Sequence, residues 1–546
     1  MTTTDTTPAQ VALAAARERG LPVFLSTPDE AVPTDGLLAG LPFAVKDNID
    51  VAGLPSTAAC PVLTEVKTEN AYAVQRLVDA GAVVVGKTNM DQFATGLVGT
   101  RSPFGACTAV DDPSRVAGGS SSGSAVAVGL GIVPLALGTD TAGSGRVPAA
   151  FNGLVGVKPT RGLISTRGVL PACRSIDCVT TLTRTVAQAR QALEVLVDPD
   201  PLDPWSRARP LDLPPGVARV FGTVGVPRQV LDLDDDTRTA WARALQHAHD
   251  LGLDVVPVDL EPFLEAATLL YGGPWVAERY AAVGHLVDDD GPHLDPTVAS
   301  IIRGGRSLTA ADAFRAFDRL AELRRRTEPT WARVDALLLP VTPGHPTVAA
   351  VQADPLGANS RLGNFTNFVN LLDLCAVAVP AGRRDDGLPY GVQLVAPAFA
   401  DQPLLDLSSL WCGEAVPPVT IGTTVVAVGA HMAGLPLNHL LVRRGGRLVR
   451  RARTAAGYRM LRVPGPGVPR PALVGGDGPA DGFAVEVWEL PAQGLGEVAA
   501  EVTAPLRLGP LQLSDGSTPL GWLGDVQALD GAEDISAFGG WRDAVT

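Results

Sequence analysis

The reading of this chain turns on residues 115–160, RVAGGSSSGSAVAVGLGIVPLALGTDTAGSGRVPAAFNGLVGVKPT. Two loops of small residues bracket a long apolar segment. The first is Gly118-Gly119-Ser120-Ser121-Ser122-Gly123-Ser124; the second runs from Gly138 through Thr139-Asp140-Thr141-Ala142-Gly143-Ser144 to Gly145. Glycines let backbone pack closely, and hydroxyls beside a buried segment leave donors to spare. Three plain readings compete. A flexible Gly/Ser linker fits poorly, because Ala125 to Leu137 is apolar. A phosphate loop wants a Lys-Ser or Lys-Thr pair closing its glycine-rich turn, and none follows. Gly119 to Gly123 fits the G-x-S-x-G pattern of a nucleophile elbow, but Asp111-Asp112-Pro113-Ser114-Arg115 makes a poor preceding strand.

The two loops together resemble the core of the amidase signature family of serine amidohydrolases. The resemblance implies a Ser–cis-Ser–Lys triad with no His and no metal. Ser144 then matches the nucleophile. Ser120, the first serine after Gly118-Gly119, matches the bridging serine, whose preceding peptide bond is cis in the family. The separation of 24 residues between them is the family's spacing. The base should be a lysine ending a short apolar strand upstream, and Leu41-Pro42-Phe43-Ala44-Val45-Lys46 supplies it as Lys46. The backbone N–H groups of Thr141, Ala142, Gly143 and Ser144 match the oxyanion hole. Removing one such donor in other enzymes costs about 3–4 kcal/mol. Ala142 stands where many members have Gly, but only a backbone N–H is needed there.

The chemistry agrees with these positions. A serine hydroxyl is a weak nucleophile until a base takes its proton. An ammonium cannot be that base, so Lys46 must act neutral, and burial lowers a lysine's pKa. The apolar run before Lys46 predicts that burial.

Composition sets outer bounds. At 546 residues the chain is long enough for a large core and two domains. A net charge of −14 argues against nucleic acid as a partner. It also means that an anionic substrate needs a local cation. Six cysteines form no CxxC pair, and seven histidines show no HExxH spacing. Free thiols in a reducing cytoplasm are expected, with no metal or organic cofactor. The opening MTTTDTTPAQ lacks the pattern of a signal peptide. The most apolar run, Ala125 to Leu137, is too short to span a membrane.

Helical spacing falls at 8–19, 71–79, 122–131, 186–197, 236–252 and 401–411; strands are expected at 41–46, 82–87, 133–137, 220–226, 336–340 and 423–429. This alternation predicts an α/β fold with a mixed central sheet covered by helices on both faces. Lys87 is a rival base by position, though it reads more simply as a surface lysine at a strand end. Asp140 and Arg146 flank the nucleophile and either brace the loop or pair with other charges. Thr88 to Gly99 resembles the family's substrate-side loop; Thr342-Pro343 and Asn364 to Asn370 would border the pocket. Pro199 to Pro215 reads as a surface excursion.

Leu269 to Tyr280 reads by itself as a helix start, with Pro274 in its first turn. The string also resembles the allophanate hydrolase branch of the family, in which a Tyr and an Arg eight residues on bind the substrate carboxylate. Tyr271 and Arg279 have that spacing, and a guanidinium fork suits a planar carboxylate. After a linker at 413–420 the composition changes to short strands with Gly/Pro turns. Residues 421–546 resemble the small β-rich α+β C-terminal domain of that branch, itself similar to gamma-glutamylcyclotransferase proteins. There a histidine is implicated in decarboxylating the first product; His431, directly after a strand, is the candidate beside His439, with a module for assembly as the plain alternative. The arginines from Arg443 to Arg453 read as a solvated face, or else as an anion site.

The resemblance thus implies an amidase domain over 1–412 and hydrolysis of allophanate in urea breakdown. It implies a cytoplasmic homo-oligomer, a dimer, fed by a urea carboxylase. Two other readings stand beside it: a related hydrolase of another small amide, and a non-catalytic scaffold for a carboxylase.

Overall fold

A computed structural model describes residues 7–32, 34–208, 221–416, 423–442, 444, 446–463, 467–490, 492–526, 529 and 531–545. The later part of the 199–215 excursion, the end of the 413–420 linker and Arg443 lie outside them. The described residues fall into two compact units, one of residues 7–208 with 221–416 and one of residues 423–545.

The first unit is built on an eleven-stranded sheet. Its strands are β1 (Phe24–Ser26), β2 (Pro42–Lys46), β3 (Val83–Thr88), β4 (Leu135–Asp140), β5 (Val155–Lys158), β6 (Cys178–Thr183), β7 (Thr223–Pro227), β8 (Asp254–Val258), β9 (Ala336–Pro340), β10 (Leu374–Arg383) and β11 (Pro389–Pro397). They run in the order β1-β3-β2-β4-β6-β5-β10-β11-β9-β7-β8. The sheet is mixed: β3, β2 and β4 are parallel, as are β9, β7 and β8, while the middle strands pair antiparallel.

Both faces are covered. Along β2, Ala44 joins one apolar cluster while Phe43 and Val45 join the other, as alternating side chains require. Every residue of β2 and β4 is buried, which is why both read as near-continuous apolar runs. β4 begins two residues later than the sequence implies and runs three further, because Asp140 still pairs with Cys178 of β6. The first helix, Pro8–Arg19, matches its expected span, with a Thr7–Gln10 capping box and Gly20 at its end.

The topology decides where the site lies. β2 and β4 are parallel neighbours, so Lys46 and Asp140, their last residues, emerge at the same sheet edge. Carboxyl ends of parallel strands are the usual place for a ligand in such sheets. The antiparallel β6 begins at that edge, bringing Asp177 to the same place.

The second unit has seven strands, β12 (Thr423–Ala427), β13 (Arg447–Arg453), β14 (Tyr458–Arg462), β15 (Pro471–Gly475), β16 (Ala484–Leu490), β17 (Leu506–Pro510) and β18 (Leu520–Gly524). Its separate core includes Phe483, Trp488, Trp522 and Trp541, and short helices such as Ala492–Glu501 complete a β-rich α+β module.

Candidate active site

Lys46 is fully buried at the end of β2. Its Nζ donates to Ser120 Oγ and to Thr139 Oγ1, each at 2.7 Å. Burial pulls its amine from 10.5 down to about 7, against the opposing charges of Asp91, Asp140 and Asp177. A lysine that loses its proton near neutrality can serve as a general base. The Gly119–Ser120 peptide bond is cis. Asp91 holds the peptide that follows: its N–H donates to the Ser120 carbonyl at 3.2 Å. Its carboxylate accepts from Gly99 N at 3.0 Å and Arg101 N at 2.9 Å. A Cβ on Gly119 would lie 2.0 Å from Asp91 Oδ2, so the close approach excludes any side chain there.

Ser144 sits in the hairpin-like turn between β4 and the helix Arg146–Phe151, and its carbonyl accepts from Ser121 N at 3.2 Å, hooking the two loops together. Asp140 organises that hairpin. Its carboxylate accepts from Gly143 N at 2.8 Å and Gly145 N at 3.1 Å, and from Arg146 Nε and Nη2, each at 3.0 Å. Against the pull of burial, the Arg146 guanidinium holds the Asp140 carboxyl below its usual range. Arg146, itself fully buried, also donates to Gln393 Oε1 at 2.8 Å and Asn370 Oδ1 at 3.1 Å. The two expected roles are therefore one: the charges pair with each other and in doing so brace the loop. Thr366 Oγ1 donates to the Ala142 carbonyl at 2.6 Å, and Asn370 Nδ2 to the Asp140 carbonyl at 2.7 Å. Residues 364–370 thus close on the hairpin.

Among the four N–H groups expected to form an oxyanion hole, Gly143 differs. A short acidic side chain readily captures N–H groups a few residues on, and the Gly143 N–H is committed to Asp140. Those of Thr141, Ala142 and Ser144 have no acceptor among the described residues, and Ser144 itself is buried.

Tyr271 ends the helix Glu261–Gly272, and Arg279 lies in the next, Trp275–Val287. The break at Gly273-Pro274 turns the chain so that the Arg279 guanidinium sits 5.4 Å from the centre of the Tyr271 ring. Arg279 is 1 % exposed. Its Nη1 donates to Thr95 Oγ1 at 3.1 Å and the Ala94 carbonyl at 3.3 Å, but its Nε and Nη2 have no partner among the described residues. Phe93 and Ala94 adopt φ of +50° and +52°, and this rare backbone presents the Ala94 carbonyl. A cavity of about 450 Å³ opens beside Tyr271 and is lined also by Val276, Leu356 and Asn359. Two open N–H positions on one guanidinium have the spacing of a two-oxygen anion.

Lys87 is not a surface lysine. It is fully buried, 3.5 Å from Asp47 Oδ1, and donates to Ser56 Oγ at 2.8 Å. Val45 lies opposite it in the β2–β3 register, so its amine emerges beside Asp47 and not beside Ser120. The pair anchors residues 55–59, because Asp47 Oδ2 also takes the Thr57 N–H at 3.0 Å and the Ala59 N–H at 3.3 Å.

In the second unit His431 stacks on Trp522 with ring centres 4.5 Å apart. Burial pulls its imidazole down to about 4. His439 is placed differently, with Nδ1 against the Pro436 carbonyl at 2.9 Å. Arg444, Arg450, Arg451 and Arg453 each lie within ion-pair distance of a carboxylate, which favours the solvated face over an anion site.

An amidase family model matches residues 26–405. The chain belongs to the amidase family. A second model, that of the allophanate hydrolase C-terminal domain, matches residues 423–546 of this amidase. Urea amidolyase of Lachancea kluyveri is 39 % identical over 92 % of the chain, which spans only 29 % of that protein's length. Urea amidolyase of Saccharomyces cerevisiae is 38 % identical, again over 92 % of this chain and 29 % of its own. The structure of Kluyveromyces lactis allophanate hydrolase superposes with a TM-score of 0.71 at 36 % identity, covering 99 % of this chain and 97 % of that one.

Several residues of the site were not singled out in the sequence. Thr139, Asp91 and Asp177 are buried polar groups brought together from separate loops. Only the general pattern of Thr88 to Gly99 pointed at Asp91 and Thr95. Nothing local marked Asp177, whose Oδ1 accepts from Thr141 Oγ1 at 2.5 Å.

Proposed function

We propose that this amidase family member hydrolyses allophanate (urea-1-carboxylate). Ser144 Oγ attacks the terminal amide carbonyl while its proton passes through Ser120 Oγ to neutral Lys46 Nζ. The oxyanion takes the N–H groups of Thr141, Ala142 and Ser144, because that of Gly143 is held by Asp140. When the C–N bond breaks, the proton returns through Ser120 to the leaving nitrogen and ammonia departs. Water then clears the acyl-enzyme to N-carboxycarbamate, which breaks down to two molecules of carbon dioxide and the second ammonia. The observation that carries the substrate assignment is Arg279, whose Nε and Nη2 are buried beside Tyr271 and unpartnered among the described residues. Leaving a buried charged donor unsatisfied is costly, and a substrate carboxylate satisfies it. The kinship with an allophanate hydrolase over the whole chain supports the same reading.

In this reading residues 1–412 form the catalytic domain and 421–546 a domain that assists decarboxylation through His431, with 413–420 between them. The chain works in the cytoplasm as a homo-oligomer. The urea amidolyases are far longer than this chain, and a urea carboxylase is the partner that would supply its substrate.

The test is ammonia release from allophanate, malonamate and propionamide by the wild type and by Ser144→Ala. Release from allophanate that vanishes in the variant is expected. Turnover of the neutral amide alone would keep the nucleophile and sink the substrate. A folded protein that turns over nothing would leave the scaffold reading. Arg279→Met should lower kcat/KM for allophanate about 10²-fold, the value of charge-assisted hydrogen bonds, and leave propionamide unchanged.

A further inference from the structure

The turn Ala172–Asp177 has no part in the proposed chemistry, yet it is bonded to both ends of the site. At one end Asp177 Oδ1 accepts from Thr141 Oγ1 of the oxyanion hairpin at 2.5 Å. At the other, Glu278 captures Ser175 through two bonds: Oε1 accepts the Ser175 N–H and Oε2 the Ser175 hydroxyl, each at 2.7 Å. Glu278 immediately precedes Arg279 in the helix Trp275–Val287. A second tie joins turn and helix, from Cys173 Sγ to the Trp275 carbonyl at 3.3 Å.

The turn itself is closed. Asp177 Oδ2 accepts from Ala172 N at 2.8 Å and Cys173 N at 3.1 Å, and Ile176 N and Asp177 N both donate to the Cys173 carbonyl at 2.9 Å. Asn370 Nδ2 adds a cross-tie, bonding the Ile176 carbonyl at 3.0 Å and the Asp140 carbonyl at 2.7 Å. A short, internally bonded turn pinned at both ends keeps those ends at a fixed distance. Here the ends are the hairpin that holds the reacting carbonyl and the helix that aims the guanidinium.

We propose that the Ala172–Asp177 turn is a length gauge. It fixes the separation between the 141–144 hairpin and Arg279, and so selects ω-carboxy amides with one atom between the two carbonyl carbons over those with two. This rests on the reading of Arg279 as the carboxylate site. A substrate must satisfy the guanidinium and present its carbonyl to Ser144 at once. A misplacement of about 1 Å at such a site can cost about 10²-fold in rate, and one extra methylene displaces the carboxylate by a bond length. The contacts of Arg279 Nη1 with Ala94 and Thr95 steady the side chain but do not tie its helix to the hairpin.

The experiment measures kcat and KM for malonamate, succinamate and propionamide in the wild type, Glu278→Ala, Glu278→Gln and Ser175→Ala, each checked for a cooperative thermal transition. The wild type should prefer malonamate over succinamate by about 10²-fold. In Glu278→Ala that preference should fall at least tenfold, mainly through kcat for malonamate. Glu278→Gln should recover most of it, because an amide oxygen still accepts the Ser175 N–H. Propionamide, which never reaches Arg279, should stay within twofold throughout. Ser175→Ala removes one bond alone and should shift the preference part-way, so the gauge remains testable if Glu278→Ala does not fold. A folded variant series that keeps the wild-type preference overturns the gauge. A wild type that hydrolyses propionamide but neither acid overturns instead the carboxylate reading on which it stands.

Discussion

At the scale of single residues the decisive quantity is the proton on Lys46. Burial brings its amine to about 7, so kcat/KM should rise with pH through an ionisation near 7 and level off above it. A pH–rate profile checks this, and a flat profile down to pH 5 would remove Lys46 as the base. Stability is linked to the same group. Between about 7 and 10.5 the unfolded chain holds a proton on Lys46 that the folded chain lacks, so folding stability rises with pH across that window. Below it both states are protonated and the full cost of a buried charge remains. The stability difference between wild type and Lys46→Met, followed by urea unfolding, should therefore move in favour of the wild type from pH 7 to 9.

At the scale of elements, the hairpin after β4 depends on a buried charge pair. Removing one member of such a pair leaves the other uncompensated, typically at about 3–5 kcal/mol. Asp140→Ala should lower stability by that order in denaturant unfolding, because Arg146 would lose the carboxylate that both its Nε and Nη2 bond. Gly143 has φ +120°, and a Cβ there would lie 2.4 Å from Thr366 Oγ1. Gly143→Ala should therefore cost activity by displacing the hairpin, read as lost ammonia release in a protein that still melts cooperatively.

The same elements show what a linear text can carry. Lys46, Ser120 and Ser144 stood out as candidates because glycine, serine and a short apolar strand are local signals, and Lys46 does meet Ser120. Tyr271 and Arg279 stood out as candidates through one spacing across a helix break, and the fold does bring them together. Lys87 was misread because its burial depends on Asp47 and Ser56, which meet it only after β2 and β3 pair. Asp177 was invisible because nothing near it in sequence announces Thr141 as its partner. The Gly143 N–H was misassigned because spacing shows which groups line a loop and not which of them a neighbouring carboxylate has already taken.

At the scale of the whole molecule there are two units, each with its own apolar core. The residues of the proposed amide chemistry, Lys46, Ser120, Ser144 and Arg279, all belong to the first. His431→Asn should then leave release of the first ammonia from allophanate unchanged while carbon dioxide appears late, measured by coupling the two products separately. An equal loss of both rates would deny the second unit a separate step.

A base with its midpoint near neutrality has a consequence for the time course of the reaction. Ammonia is itself alkaline, and in the proposed reaction every turnover adds to it. In a weakly buffered solution started at pH 6, the products would strip protons from further copies of Lys46 and recruit idle molecules. The progress curve should bend upward, a self-accelerating reaction written into the depth at which one lysine is buried.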